Sequence, residues 1–97
     1  MQITIAHSLP QNEAKKKISQ FLEEKYREHK RMISDYEMKW SGNTCHVKGS
    51  AKNINVNGNV SVLPEAVEVD LKVPLAFFPF KSKIKDVITS ELSEVLK

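Results

Sequence analysis

The sequence predicts an α+β fold, a curved antiparallel sheet with two helices on one face, in the order β-α-β-β-β-β-α. Five short stretches alternate apolar and polar residues, which is the pattern of half-buried strands. Two longer stretches repeat apolar residues at steps of three and four, as amphipathic helices do. Four of the strand-like stretches are joined by short turns, so we expect them to form an antiparallel meander.

The first strand and helix are predicted from the amino-terminal residues. Ile3 and Ile5 alternate with polar neighbours, and an apolar stripe at helical spacing begins at Ala14. Ser8 and Gln11 have the spacing of a capping box, so Ser8 is the expected N-cap of this helix. The opening strand is also a candidate sheet edge through which two copies of the chain could form a homodimer.

A hairpin is predicted next. Residues 36–40 alternate, with both aromatic side chains and Met38 on one face. The sequence Ser41-Gly42-Asn43 is typical of a tight hairpin, with glycine free to take a positive φ. Cys45 and Val47 then share the inward face of the following strand.

The following stretch, residues 54–62, allows two interpretations. Asn57-Gly58 inside an alternating run is usually a hairpin signal. However, the apolar residues on both sides keep the same inward parity through the glycine, which favours one continuous strand bent there. The continuous strand is the preferred prediction, and the hairpin is the alternative.

The apolar period changes in the carboxyl-terminal third. Residues 66–74 alternate, with the valines and Leu71 on one face. After Phe77-Phe78-Pro79-Phe80, apolar residues from Ile84 to Leu96 recur at helical spacing. A strand with one apolar face that leads into an amphipathic helix predicts that the helix folds back onto the sheet.

Length and composition restrict the class of protein. A chain of 97 residues is expected to form one domain, and its single cysteine excludes an internal disulfide. The amino terminus lacks the features of a signal peptide, and the longest apolar run, residues 73–80, is too short to cross a bilayer. We therefore expect a soluble cytoplasmic protein without a transmembrane segment.

No residue pattern in the sequence predicts an active site. Cys45 and His46 are neighbours on a strand, so they point to opposite faces and cannot act as a nucleophile–base pair. His7, His29 and His46 lie on three different elements without metal-ligand spacing. The expectation is a protein that is not an enzyme and that has neither cofactor nor metal.

One corner of the sequence concentrates aromatic residues and cations. Its six residues are Phe77, Phe78, Phe80, Lys81, Lys83 and Lys85. In one interpretation the phenylalanines close the end of the core and the lysines keep the surface soluble. In the other, exposed aromatic rings insert into an apolar surface and the lysines contact anionic groups around it.

Short stretches spread along the chain support a family resemblance. They are His7-Ser8-Leu9 followed by Ala14, Trp40-Ser41-Gly42-Asn43, Gly58-Asn59-Val60-Ser61-Val62, Val67-Glu68-Val69-Asp70-Leu71 and Phe80-Lys81-Ser82-Lys83-Ile84. With these stretches the chain resembles the small bacterial family of polyhydroxyalkanoic acid system proteins, which are granule-associated regulatory proteins. The family is also similar to a minimal helix-grip (START-like) architecture, in which a curved sheet wraps a long carboxyl-terminal helix.

The resemblance implies a non-enzymatic accessory or regulatory protein that binds the surface of polyhydroxyalkanoate granules or the proteins on them. This hypothesis requires at least one of Phe77, Phe78 and Phe80 to face solvent. A second hypothesis is a small lipid or hydrophobic-ligand carrier, with a cavity between the sheet and the last helix. Its lining residues would be Trp40, Val60, Leu71 and Ile88.

A third hypothesis is weak nucleic-acid binding at the lysine corner, with Phe77 or Phe78 as a stacking platform. Such binding would depend strongly on salt. The 15 basic and 12 acidic residues make the chain only mildly basic, and acidic residues interrupt both predicted helices. Nucleic acid is therefore the least favoured of the three ligands.

Overall fold

The computed structural model describes residues 1–52 and 54–97. They form five strands, two α-helices and a short 3₁₀ helix. The elements in chain order are β1 (Gln2–Ala6), α1 (Gln11–His29), β2 (Ser34–Ser41), β3 (Thr44–Ala51), β4 (Ile54–Val62), β5 (Ala66–Lys72), the 3₁₀ helix (Leu75–Phe80) and α2 (Lys81–Val95). The predicted α+β class and element order are confirmed.

The five strands form one open antiparallel sheet in the order β1-β5-β4-β3-β2. Strands β2 to β5 form the predicted meander, and β1 pairs with β5 so that Ile3 lies opposite Val69 and Ile5 opposite Val67. The opening strand therefore lies at a sheet edge, as expected. The homodimer through this edge stays a prediction, and the helix-grip similarity is not confirmed.

The core lies between the sheet and the two helices. Alternation places the apolar side chains of the strands on one face, and α1 and α2 cover that face. The largest fully buried side chains come from four strands and one helix: Ile3, Ile18, Cys45, Val62 and Val67. Helix α2 packs mainly on β1, and α1 contacts β4 and α2. Both helices thus share one face of the sheet, in accordance with the prediction.

The predicted cap of α1 is wrong. The N-cap is Pro10, which makes no side-chain hydrogen bond, and not Ser8. The Gln11 amide instead donates through Nε2 to the Val62 carbonyl at 2.7 Å, across the loop that follows β4. Proline's fixed φ suits the entry into a helix, so the chain starts α1 without a capping box.

His7 has a structural role that the sequence did not reveal. Its buried ring accepts a hydrogen bond at Nδ1 from the Leu9 backbone N–H at 3.1 Å. The other ring nitrogen, Nε2, lies 2.9 Å from the Leu63 carbonyl and can donate to it, since Nδ1 is the acceptor. The imidazole therefore ties the β1–α1 loop to the β4–β5 turn.

Strand β4 runs without interruption through Asn57-Gly58, so the prediction of one continuous strand is confirmed. Gly58 lies opposite Val47 on one side and Leu71 on the other. A Cβ atom at this glycine would approach the Asp70 backbone oxygen to 2.8 Å. The glycine is needed here because the neighbouring strand passes too close for a side chain.

The predicted β2–β3 hairpin is also confirmed. Ser41 pairs with Thr44, and Gly42 between them has a φ of 60°. Near the start of β2 the register shifts between Ser34 and Glu37, and Asp35 has a φ of 53°. This bulge breaks the regular pairing at the end of the sheet farthest from β1.

Candidate functional site

The sequence between β5 and α2 folds into a 3₁₀ helix that begins after Pro74. The Phe77 backbone N–H donates to the Pro74 carbonyl at 2.9 Å, and the Lys81 N–H donates to the Phe78 carbonyl, which leads the chain into α2. Pro79 has no N–H to contribute to this turn. Short 3₁₀ turns of this kind present successive side chains in different directions, so some of the aromatic rings must face outward.

Exposed apolar side chains are concentrated at this end of the molecule. Leu75 is 79% exposed, Phe80 56%, Val87 49% and Phe78 45%. These four make up the greater part of the seven large apolar side chains that are exposed among the described residues. We call them the apolar corner. All four lie within residues 75–87, whereas the other exposed large apolar side chains of the described residues are scattered along the chain.

Lysines surround the apolar corner. The Lys81 ammonium lies 4.2 Å from the centroid of the Phe78 ring, close enough for a cation–π contact. Lys83 and Lys85 are exposed near the start of α2, whose first turn carries no acidic residue; Asp86 follows Lys85 in the second turn. Within the described residues, none of these three lysines forms a salt bridge. Their charges are therefore available to an anionic partner.

The structure brings together most of the residues predicted for this corner, with one difference. Phe78 and Phe80 face solvent beside the lysines, whereas Phe77 is half-buried and lines a groove under the corner. The sequence prediction missed Leu75 and Val87. Leu75 was concealed in a short apolar run after Pro74, and Val87 lies at the helical spacing that otherwise marks core residues.

A second feature is an apolar groove between the two helices and the sheet, which we call the inner groove. Its volume is about 440 Å³. The side chains along it come from α1, the α1–β2 loop, α2 and strands β2 to β5, and they include Ile18, Phe21, Leu22, Ile33, Tyr36, Val47, Val56, Val60, Leu71, Ile88 and Leu92. Three of the four residues predicted for a ligand cavity, Val60, Leu71 and Ile88, are among them.

Trp40 does not line the inner groove. Its ring lies beside the first half of α1, where Lys15 Nζ is 5.0 Å from the ring centroid. Trp40 pairs with Cys45 near the hairpin end of β2, whereas the groove lies near the opposite end of the strand, at Tyr36. Alternation predicts which face of the sheet Trp40 lies on. It does not predict whether that position along the strand reaches the groove.

Two glycines form part of the floor of the inner groove. Gly49 and Gly58 both line it, and they lie on the adjacent strands β3 and β4, opposite Val56 and Val47 respectively. A Cβ atom at Gly49 would come within 3.1 Å of the Ile33 side chain, which also lines the groove. At both positions neighbouring atoms approach the glycine closely, so the floor there consists of backbone and of the side chains of adjacent residues.

A second groove, the outer groove, lies between the inner groove and the apolar corner. It has a volume of about 540 Å³ and is lined by Phe77, Phe80 and apolar residues of β5 and α2. Val56, Leu71 and Ile88 line both grooves, so the two are adjacent. An apolar path therefore leads from the core to the exposed aromatic rings.

Tyr36 is the polar residue that stands out in the inner groove. Its ring stacks on Tyr26 of α1, with centroids 4.0 Å apart and an interplanar angle of 14°. Its hydroxyl oxygen is buried and has no hydrogen-bond partner among the described residues. Burial raises the pKa of the Tyr36 hydroxyl, with a smaller effect from nearby acidic groups. The group is consequently a protonated donor at neutral pH.

One ion pair joins the helices beside the inner groove. Lys25 Nζ of α1 lies 3.0 Å from Glu91 Oε1 of α2 and 3.5 Å from Glu28 Oε2. The hydrogen bond to Glu91 is the main cause of the raised pKa of Lys25. Lys25 is the one cation that lines the inner groove in the part of the chain described, and its charge is already shared by two carboxylates.

Cys45 and His46 lie on opposite faces of β3. Cys45 is buried, and burial raises the pKa of its thiol, so the reactive thiolate is disfavoured. His46 lies on the other face of β3, where its Nδ1 is 2.8 Å from Asn59 Oδ1. In the described ranges no three His, Cys, Asp or Glu side chains cluster as metal ligands would, and neither helix is long and apolar enough to span a membrane.

Fold and surfaces together define a small α+β protein with an exposed apolar corner, free lysines around it and an apolar groove beneath. The chain belongs to the family described as "Putative polyhydroxyalkanoic acid system protein", whose model matches residues 1–96. The resemblance seen in the sequence is thereby confirmed. No curated protein and no solved structure matches the chain. The family name links the protein to polyhydroxyalkanoates, which are hydroxy acids joined as esters.

Proposed function

We propose that this protein is a non-enzymatic accessory or regulatory protein that attaches directly to polyhydroxyalkanoate granules through the apolar corner. The observation that supports the proposal is the joint exposure of Leu75, Phe78, Phe80 and Val87. The link to the polymer comes from the family. A cytoplasmic location, on the granule surface, is part of the proposal.

The energetics suit reversible attachment. Full burial of one large apolar side chain contributes roughly 1.5–3 kcal/mol. The four side chains of the apolar corner are already partly buried, so covering the remainder contributes a few kcal/mol in total. A weak apolar anchor becomes effective when a basic patch acts with it on an anionic surface. Lys81, Lys83 and Lys85 supply that patch.

The first experiment is co-sedimentation of the purified protein with polyhydroxybutyrate nanoparticles. The test variant is Leu75→Asp with Phe78→Asp, because both residues are exposed and neither lines a groove. The wild type should sediment with the particles. The variant should bind at least about tenfold more weakly, because it loses two apolar contacts and introduces two charges at the contact surface.

The matched control is Met32→Asp with Leu63→Asp. These residues are also exposed apolar side chains, and the control has the same net charge as the test variant, but both lie away from the apolar corner. The control should bind like the wild type. Equal loss in both variants, or a wild type that stays in the supernatant, would contradict the proposal. Circular dichroism of both variants confirms that each is folded.

Salt separates the apolar anchor from a purely ionic contact. At about 1 M salt the Debye length falls to about 3 Å, so the lysine contribution should be lost while the apolar contribution persists. Weakened but measurable sedimentation is therefore expected. Complete loss of sedimentation would instead favour the ionic mode, which is the mode expected of nucleic-acid binding.

A further inference from the structure

We propose that the inner groove binds one medium-length acyl chain whose polar end is uncharged, such as the ester of a hydroxy fatty acid. This site is separate from the apolar corner. The proposal for one site can therefore be refuted without refuting the proposal for the other.

The shape and lining of the groove favour an alkyl chain. Its volume of about 440 Å³ lies within the range of roughly 300–1,000 Å³ that is typical of small-molecule sites. Most of the side chains that line it are apolar, among them Val47 and Val56 of the sheet and Ile88 of α2. The outer groove continues the apolar path toward Phe77, so a longer tail has room to extend.

Charge in the groove argues for an uncharged ligand. A carboxylate buried there would need a free cation. Among the described residues, Lys25 is the cation that lines the inner groove, and Glu28 and Glu91 already neutralise it. Glu91 also lines the groove and would repel a second carboxylate. An ester or hydroxyl group avoids both costs, and ester-linked hydroxy acids are the chemistry that the family name indicates.

The test is isothermal titration calorimetry of the full chain with methyl esters of β-hydroxy fatty acids, below the concentrations at which they form micelles. Affinity should rise about fourfold for each added methylene from the hexanoate to the decanoate. The free β-hydroxydecanoate anion should bind at least about tenfold more weakly than its methyl ester. Equal affinity for anion and ester would overturn the assignment of an uncharged end.

One variant locates the ligand. Val56→Trp should abolish binding, because this partly exposed side chain lines both grooves and a larger ring would fill them.

The apolar-corner variant, Leu75→Asp with Phe78→Asp, should keep its ester affinity, and Val56→Trp should still sediment with nanoparticles. Ester binding that survives Val56→Trp would place the chain elsewhere and overturn the proposal. A wild type that binds none of the esters would overturn it as well.

Discussion

At the scale of single residues, the two strand glycines have different costs of replacement although both line the inner groove. A Cβ atom at Gly58 would lie 2.8 Å from the Asp70 backbone oxygen, and a backbone atom can move only with its strand. A Cβ atom at Gly49 would lie 3.1 Å from the end of the Ile33 side chain, which can shift by rotation. The added methyl group therefore contacts backbone that cannot easily move at position 58, and a side chain that can move at position 49.

This difference predicts that Gly58→Ala lowers the free energy of unfolding by about 1–3 kcal/mol. The matched control, Gly49→Ala, should change the free energy of unfolding by less than about 0.5 kcal/mol. Alanine favours a strand more than glycine does, and this gain offsets a small rearrangement of Ile33. Urea denaturation followed by tryptophan fluorescence measures both. Equal destabilisation would show that the close approach of β5 is not what requires a glycine at position 58.

Residue roles were predictable where they follow from alternation alone. Cys45, Val60, Leu71 and Ile88 were assigned to the correct face, because parity on a strand or helix is a local property. The role of His7 was not predictable, because its acceptor, the Leu63 carbonyl, lies 56 positions away in the chain. The position of Tyr36 in the inner groove was missed for the same reason, because the groove forms only when two helices and four strands come together.

At the scale of elements, α2 carries its charges against the helix dipole. Its first turn has lysines and no acid, and its last turn has no basic residue. Acids are favoured at the amino-terminal end of a helix and bases at the carboxyl-terminal end. The arrangement therefore costs stability and is consistent with lysines kept at the corner for binding, as proposed above.

A matched pair of substitutions tests this trade-off. Ser82→Glu adds an acid to the first turn of α2 and should raise the free energy of unfolding by about 0.3–1 kcal/mol at low salt. Ser93→Glu makes the same chemical change near the other end, at another exposed serine, and should lower it or leave it unchanged. Urea denaturation at low salt and at about 1 M salt measures both, and the difference should vanish at high salt.

The same pair also reports on binding. Ser82→Glu should weaken low-salt sedimentation with anionic nanoparticles although it stabilises the fold, because it places a negative charge among the lysines. Ser93→Glu should sediment like the wild type. If both variants gain stability equally, the helix dipole is not the cause. If Ser82→Glu binds as well as the wild type, the lysines do not contribute to attachment.

The number and order of the strands and α-helices were predicted correctly, but the way in which some elements begin was not. Strand β4 was recognised because inward parity persists through Gly58. The 3₁₀ helix was predicted only as a corner, because two prolines and three phenylalanines give no regular period. The cap of α1 was assigned to Ser8 by spacing, but Gln11 finds a partner on β4, and tertiary contacts of that kind cannot be read from a capping pattern.

At the scale of the whole molecule, the meander and the helix-covered face followed from the sequence, while the pairing of β1 with β5 and the groove required the folded chain. Cys45 offers a direct probe of how these parts cooperate. It is fully buried on β3, the strand that also supplies Val47 and Gly49 to the inner groove. A reagent can reach its thiol only when the sheet opens, and opening that releases β3 also removes the floor of the groove.

Iodoacetamide labelling of Cys45, followed by mass spectrometry, should therefore be slow in the native protein and fast in urea. Methyl β-hydroxydecanoate at about 100 times its dissociation constant should slow native labelling about 100-fold, because the ligand must leave before the sheet opens. The same ester should not slow labelling of Val56→Trp. Unchanged labelling at a concentration where calorimetry shows saturation would mean that Cys45 becomes accessible while the groove stays intact, and that the sheet does not open as one cooperative unit.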